Sequence, residues 1–359
     1  MPKRRMKKGL LAGAIGVVSA LAMAPSAMAS AVTVSGGDTV RVLESGSEVN
    51  HVGVGYEAAM DVYVVTDSTA NLTANGTCLP VDSHTATCPG AQIKTIFVDT
   101  DAMADSIGMD VGTIPSTVTS TLRGGPSEDE ITGHGTLSGE SGNDVLRGSS
   151  LADSVRGGSG RDSIDAGDGP DDIAGGSGSD TLFYPGGRPN GVNVTVGSGN
   201  FNDGGPEDQA GTRRDTVHGD VEVVIGTLTN DVLVGDRSGE LLSGISGDDV
   251  LIGNGGGDTL LAFAGNDLLI GGAGNDLGRG GLGSDRLFGK SGADRLTGDL
   301  GKDFLRGGTG SDVMKGKKGI DRINAHDGRR DVKINCGPGG NPAEGAKRDR
   351  HLDPRAKSC

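Results

Sequence analysis

The chain has 359 residues, 67 of them glycine, about 19% where about 7% is usual. With no Trp, 3 Tyr and 6 Phe it lacks the bulk to fill the thick single core of a globular enzyme of this length. Acidic residues outnumber basic ones 48 to 33, which excludes nucleic acid as an expected partner.

Residues 1–29 read as an export signal. Lys3, Arg4, Arg5, Lys7 and Lys8 give a basic start, Gly9 to Ala24 is apolar, and Ala27-Met28-Ala29 supplies a small-residue cleavage site. The apolar run is shorter than the roughly 20 residues that span a bilayer, so the segment is expected to be removed and the mature chain to begin at Ser30 without a membrane span. Arg4-Arg5 leaves the twin-arginine route open beside the general secretory one. Cleavage removes five basic and no acidic residues, so the mature formal charge is 28 − 48 = −20. All four cysteines lie in the exported part, where disulfides persist. Cys78 is expected to pair with Cys88 and Cys336 with Cys359, each pair being close in sequence.

Residues 30–123 show short alternating apolar runs such as Val32, Val34 and Met60, Val62, Val64 between turn residues, the pattern of an N-terminal β-rich region. From Gly124 a period of nine sets in. An outlying unit contributes Asp129 and Ile131, and a first array over residues 124–183 carries Asp144, Asp153, Asp162, Asp171 and Asp180 at the sixth position of its units. Residues 184–225 break the period, with alternating runs at Val192, Val194, Val196 and at Val221, Val223, Ile225 that predict an inserted β segment. A second array over residues 226–324 comprises eleven uninterrupted units. Its sixth positions are Asp231, Glu240, Asp249, Asp258, Asp267, Asp276, Asp285, Asp294, Asp303, Asp312 and Asp321. Eleven acidic residues in eleven units would arise by chance with a probability on the order of 10⁻¹⁰, so the period is structural. Position one is glycine except at Ala262, and position eight is apolar except at Gly278. Residues 325–359 form a polar tail with the second expected disulfide.

One apolar residue in nine is too sparse for a helix stripe. A short strand around position eight, preceded by a glycine turn, makes half of a flattened coil; two units make a coil of 18 residues, and coils stack as parallel strands about 4.8 Å apart. Residues 18 apart then lie above one another, which sorts the sixth-position carboxylates into two files. Neighbouring anions at that spacing repel by roughly 3 kcal/mol at an effective dielectric near 20. A divalent cation between each vertical pair reverses that sign. An all-oxygen, flexible cage suits Ca²⁺ better than Mg²⁺. Units starting at Gly148, Gly226 and Gly235 lack the fourth-position glycine and are expected to be weak, and Glu240 is longer by one carbon. High charge and few large apolar residues predict a chain that folds only as metal binds.

Segments such as Gly271-Gly272-Ala273-Gly274-Asn275-Asp276 and Gly307-Gly308-Thr309-Gly310-Ser311-Asp312-Val313-Met314 resemble the RTX, or hemolysin-type, calcium-binding nonapeptide repeat G-G-x-G-x-D-x-U-x. The resemblance implies an all-β, right-handed parallel β-roll with several Ca²⁺ ions between turns, held by turn carbonyls and by the sixth-position residues named above. It also implies a secreted bacterial calcium-binding protein. Many RTX proteins leave the cell on a C-terminal signal, whereas this chain has an N-terminal one, so the route differs. The toxins of the family carry pore-forming or catalytic regions, and neither long amphipathic helices nor a catalytic constellation occurs here: there is no H-E-x-x-H and no G-x-S-x-G. The expectation is a non-enzymatic calcium-binding module. The alternatives are an extracellular hydrolase seated in residues 30–123 or an adhesin, with the repeats as a calcium-dependent scaffold.

Overall fold

The computed structural model describes residues 30–43, 49–90, 92–185, 188–197, 215–325 and 333–335. The expected signal segment, the Cys336–Cys359 pair and almost all of the polar tail lie outside the described residues.

Strands in this chain are set by a three-residue signal, an acid, a spacer and an apolar residue, which puts the third residue on the inner face of a pleat. Leu251 pairs with Leu269, Leu287 with Leu305, and Leu305 with Ile323, all in parallel register and each 18 residues apart. Two nonapeptides therefore make one coil, as the period predicts. Among the described residues there is no helix. The strands of the described residues form sheets of nine, sixteen and seven members. The sixteen-stranded sheet runs the length of a β-solenoid and matches one side of a β-roll. The nine-stranded sheet covers the other side over the first array and the seven-stranded one over the second.

The core is two facing files of single side chains. Leu233, Leu251, Leu269, Leu287, Leu305 and Ile323 line one sheet, and Leu242, Leu260, Leu296 and Met314 the other, all buried. Burying each such side chain contributes about 1.5–3 kcal/mol, and neither file contains an aromatic residue. At Gly278 the file lacks its side chain. A Cβ there would stand 3.1 Å from Leu296 Cδ2 and 3.6 Å from Leu287 Cδ2, so neighbouring methyls already occupy the gap.

The runs at 192–196 and 221–225 do form strands, Asn193–Thr195 and Val223–Ile225, and they belong to the stack. Val223–Ile225 lies between Thr181–Phe183 and Leu241–Ser243 in the long sheet, with Val224 opposite both Leu182 and Leu242. Asn193–Thr195 opens the seven-stranded sheet by pairing with Val232–Val234. The N-terminal region closes the other end. Thr95–Asp99 and Ser106–Met109 already run parallel to the coil strands, whereas His51–Glu57, Val62–Asp67 and Thr85–Pro89 pair antiparallel. Antiparallel pairing ends the parallel stack, which gives the solenoid a cap. The cap holds the expected Cys78–Cys88 disulfide. No helix of the described residues is long and apolar enough to cross a membrane.

Candidate metal sites

Each sixth-position residue sits immediately before a strand, at the mouth of the turn, and is buried: none of the sixteen is more than 4% exposed. The two expected files are present. Along one of them the backbone N–H of Asp249 donates to Asp267 Oδ1 at 2.8 Å, that of Asp267 to Asp285 Oδ1 at 3.0 Å and that of Asp285 to Asp303 Oδ1 at 3.1 Å. The other repeats the rung from Glu240 through Asp258, Asp276 and Asp294 to Asp312, at 2.9 Å each. In the first array Asp144, Asp162 and Asp180 form one such ladder, and Asp153 and Asp171 a rung of the other. Each rung is a charge-assisted hydrogen bond that offsets part of the repulsion between stacked anions.

One carboxylate oxygen is thereby used and the second is left over. The Oδ2 atoms of Asp144, Asp162, Asp180, Asp249, Asp258, Asp267, Asp276, Asp285, Asp294, Asp303 and Asp321 are buried without a hydrogen-bond partner. Such atoms are costly unless something positive is supplied. Burial, ahead of neighbouring acids, pushes the carboxyls of Asp144, Asp294 and Asp303 up to about 7 and that of Asp249 to about 8. Asp267 and Asp285 rise to about 6 for the same leading reason. Glu240 goes to about 8, through burial and then its hydrogen bond with Asp236.

The turn glycines are there for two different reasons. At position four the backbone is left-handed, with φ +145° at Gly274 and +133° at Gly292, and a Cβ would overlap the carbonyl oxygen of the fourth-position glycine in the coil before. At position one the conflict is with the carboxylate. A Cβ on Gly139 would fall on Asp144 Oδ2 and 2.6 Å from the Gly157 carbonyl oxygen; on Gly289 it would fall on Asp294 Oδ2 and 2.5 Å from the Gly307 carbonyl oxygen. A carboxylate oxygen and a backbone carbonyl of the next coil thus face the same side-chain-free spot. Where position four is glycine, position two is left-handed as well, yet it accepts Asn254, Lys290 and Asp299.

The three units without a fourth-position glycine behave differently. Thr227 N–H donates to Asp231 Oδ2 at 2.6 Å and Ser149 N–H to Asp153 Oδ2 at 2.7 Å, and Asp236 N–H reaches Glu240 Oε2 at 3.3 Å. In these units the protein itself occupies the second oxygen.

The files also pass through residues that the period does not reach. Asp171 N–H donates to Asp215 Oδ1 at 2.9 Å and Asp180 N–H to Glu222 Oε2 at 2.8 Å, which extends each ladder by one rung into the insertion. Asp129 of the outlying unit and then Asp105, which lies before the period, continue one of them toward the cap. The signal for them is the acid-x-apolar triad in Asp105-Ser106-Ile107, Asp215-Thr216-Val217 and Glu222-Val223-Val224, which survives where the nine-residue count fails.

These features fit a hard cation. Among the described residues no three His, Cys, Asp or Glu side chains gather at one point, so an ion here would draw on stacked carboxylates and carbonyls, an all-oxygen donor set of the Ca²⁺ type. A family model of the RTX calcium-binding nonapeptide repeat (4 copies) matches residues 132–150, 148–182, 243–277, 279–314 and 306–329. The stretch from Gly226 to Leu242, with Asp231 and Glu240, falls outside those matches. No curated protein matches the chain.

Proposed function

Because the chain carries RTX calcium-binding nonapeptide repeats folded as a β-solenoid, we propose that it is a secreted, non-enzymatic calcium-binding protein whose β-roll folds as Ca²⁺ binds outside the cell. The ions lie between coils, held by the open carboxylate oxygens of the sixth-position aspartates together with turn carbonyls. The single observation that carries this reading is the row of eleven buried Oδ2 atoms without a donor. A fold that leaves so many anionic oxygens dry is stable only when a cation joins them. Asp153, Asp231 and Glu240 belong to the same files but contribute least, since their second oxygens are already bonded. Export is supported by the basic, apolar and A-x-A pattern of residues 1–29 and by the disulfide.

The test is a calcium titration of metal-free mature protein, followed by calorimetry and far-UV circular dichroism. Extracellular calcium modules bind at about 10⁻⁴ to 10⁻³ M, so uptake of several ions with a concurrent gain of β signal is expected by about 10 mM Ca²⁺. A chain that shows the full β signal in chelator and takes up no calcium refutes the reading.

A further inference from the structure

One carboxylate file begins before the repeats do. Asp105 precedes the strand Ser106–Met109 and Asp129 precedes Glu130–Thr132, and these strands pair in parallel with Ile107 opposite Ile131. Asn50 N–H donates to Asp105 Oδ1 at 2.7 Å, Asp105 N–H to Asp129 Oδ1 at 2.7 Å and Asp129 N–H to Asp144 Oδ1 at 2.8 Å. That is the rung found between Asp144 and Asp162. It recurs here although 24 residues, not 18, separate Asp105 from Asp129.

Asp105 and Asp129 are each only 3% exposed, and in both the Oδ2 atom is buried with no hydrogen-bond partner. The turn beside them is built like a repeat turn. A Cβ on Gly124 would fall on the Asp129 carboxylate. Gly125 is left-handed at φ +93°, and a Cβ there would overlap the Asp101 carbonyl oxygen and stand 3.0 Å from that of Thr100. Two carbonyls of the preceding coil therefore face Gly125, the neighbour of the Gly124 that abuts the Asp129 carboxylate. The local charge is anionic: after burial, Asp105 and Glu140 are what raise the Asp129 carboxyl, to about 6, and Arg123 is engaged 3.9 Å from Glu140.

We propose that Asp105 and Asp129 bind a calcium ion between the cap and the first coil of the roll, outside the matched repeats, with the Thr100 and Asp101 carbonyls as further oxygen donors. This rests on the reading of the repeat carboxylates as calcium ligands and extends it to the outlying unit of Asp129 and, before the period begins, to Asp105. Asn50, at the edge of the antiparallel cap, is tied to Asp105, so the ion would fasten the non-repetitive N-terminal region to the roll.

The experiment uses the full mature chain. Calcium per chain is counted by native mass spectrometry, and hydrogen exchange is followed with and without Ca²⁺. Asp105→Asn is expected to carry one ion fewer than wild type and to lose calcium-dependent protection over residues 95–109, while protection over 243–324 is unchanged. Asp276→Asn, within the second array, should show the reverse: fewer ions, with protection over 95–109 intact. Asp105→Glu, which keeps the charge and lengthens the arm, guards against a folding defect in the asparagine variant. It should raise the calcium midpoint for protection of 95–109 at least threefold without moving that of 243–324. Unchanged ion count and protection in Asp105→Asn, or an unmoved midpoint in Asp105→Glu, overturns this site alone. A wild-type chain that takes up no calcium overturns the repeat reading along with it.

Discussion

Replacing Asp285 by asparagine should change sign with calcium. In the structure Asp285 Oδ1 accepts the Asp267 N–H at 3.0 Å, and Oδ2 is buried and unpartnered. Burial first, then the charges of Asp267 and Asp299, lift its carboxyl from 3.8 to about 6. A carboxyl raised on folding favours the fold below about pH 4 and loses that contribution as pH climbs through 6. At 1.36 kcal/mol per tenfold change in acidity the ceiling on the penalty at pH 7.5 is about 3 kcal/mol, and water near the turn screens it to about 1–2 kcal/mol. Asparagine retains an oxygen for the Asp267 N–H and carries no charge. In chelator at pH 7.5, Asp285→Asn is therefore expected to stabilise the fold by about 1–2 kcal/mol, and at pH 4 the advantage should vanish. In 10 mM Ca²⁺ an ion with a Kd of 10⁻⁴ to 10⁻³ M adds about 1.4–2.7 kcal/mol. Asp285 faces a gap on either side, so loss of both ions removes about 3–5 kcal/mol and makes the variant the less stable protein. Circular dichroism reads both limbs, with urea in calcium and, in chelator, with trimethylamine N-oxide, which strengthens burial. A variant that is destabilised in chelator as well, or that responds to calcium as wild type does, would refute the reasoning.

Further outcomes follow from the same geometry. Without calcium, β signal should fall as pH rises from 5 to 8, because carboxyls at about 7 in Asp144, Asp294 and Asp303 and about 8 in Asp249 must ionise in buried positions. With calcium present a pH series by circular dichroism should show no such loss. Leu287→Ala, at a site with 0% exposure, should cost about 2–5 kcal/mol in urea unfolding of the calcium-loaded protein. Gly274→Ala must place a methyl on the Gly256 carbonyl oxygen at φ +145°. It is expected to destabilise by at least about 2 kcal/mol, whereas Lys290→Gly, at an already left-handed position with an outward side chain, should stabilise by about 1 kcal/mol in the same assay.

The coil length, the paired files and the Cys78–Cys88 bridge were legible in the sequence because each rests on spacing alone. Asp249, Asp267 and Asp285 stand 18 apart, and no physical detail is needed to stack them. The destination of each carboxylate oxygen was not legible. Vertical spacing suggested bare repulsion between neighbours, whereas the turn swings each backbone N–H under the next carboxylate and consumes one oxygen of the two. Nor could spacing predict that Asp215 and Glu222 continue the files, since the chain takes 44 residues from Asp171 and 42 from Asp180 to come back over itself. The long excursion is tolerated because loop closure entropy rises only slowly with length.

Within the two arrays, what distinguishes an open carboxylate from a closed one is the residue two positions before it; ahead of them Asp129 is open behind Ser127, which is itself left-handed. Where position four is glycine, the turn takes a left-handed bend that no side chain could share with the carbonyl beneath it, and the second carboxylate oxygen stays without a donor, as at Asp267 behind Gly265 and Asp276 behind Gly274. Where position four is Leu151, Thr229 or Ser238, the position-two N–H of Ser149, Thr227 or Asp236 closes onto that oxygen. Both kinds of turn keep the rung and the buried apolar residue two places on, so both sustain the stack. Glycine at position four is therefore not required to build a coil. Its consequence is to withhold the protein's own hydrogen bond from one anionic oxygen per turn, which destabilises the bare chain and makes stacking depend on a cation from outside.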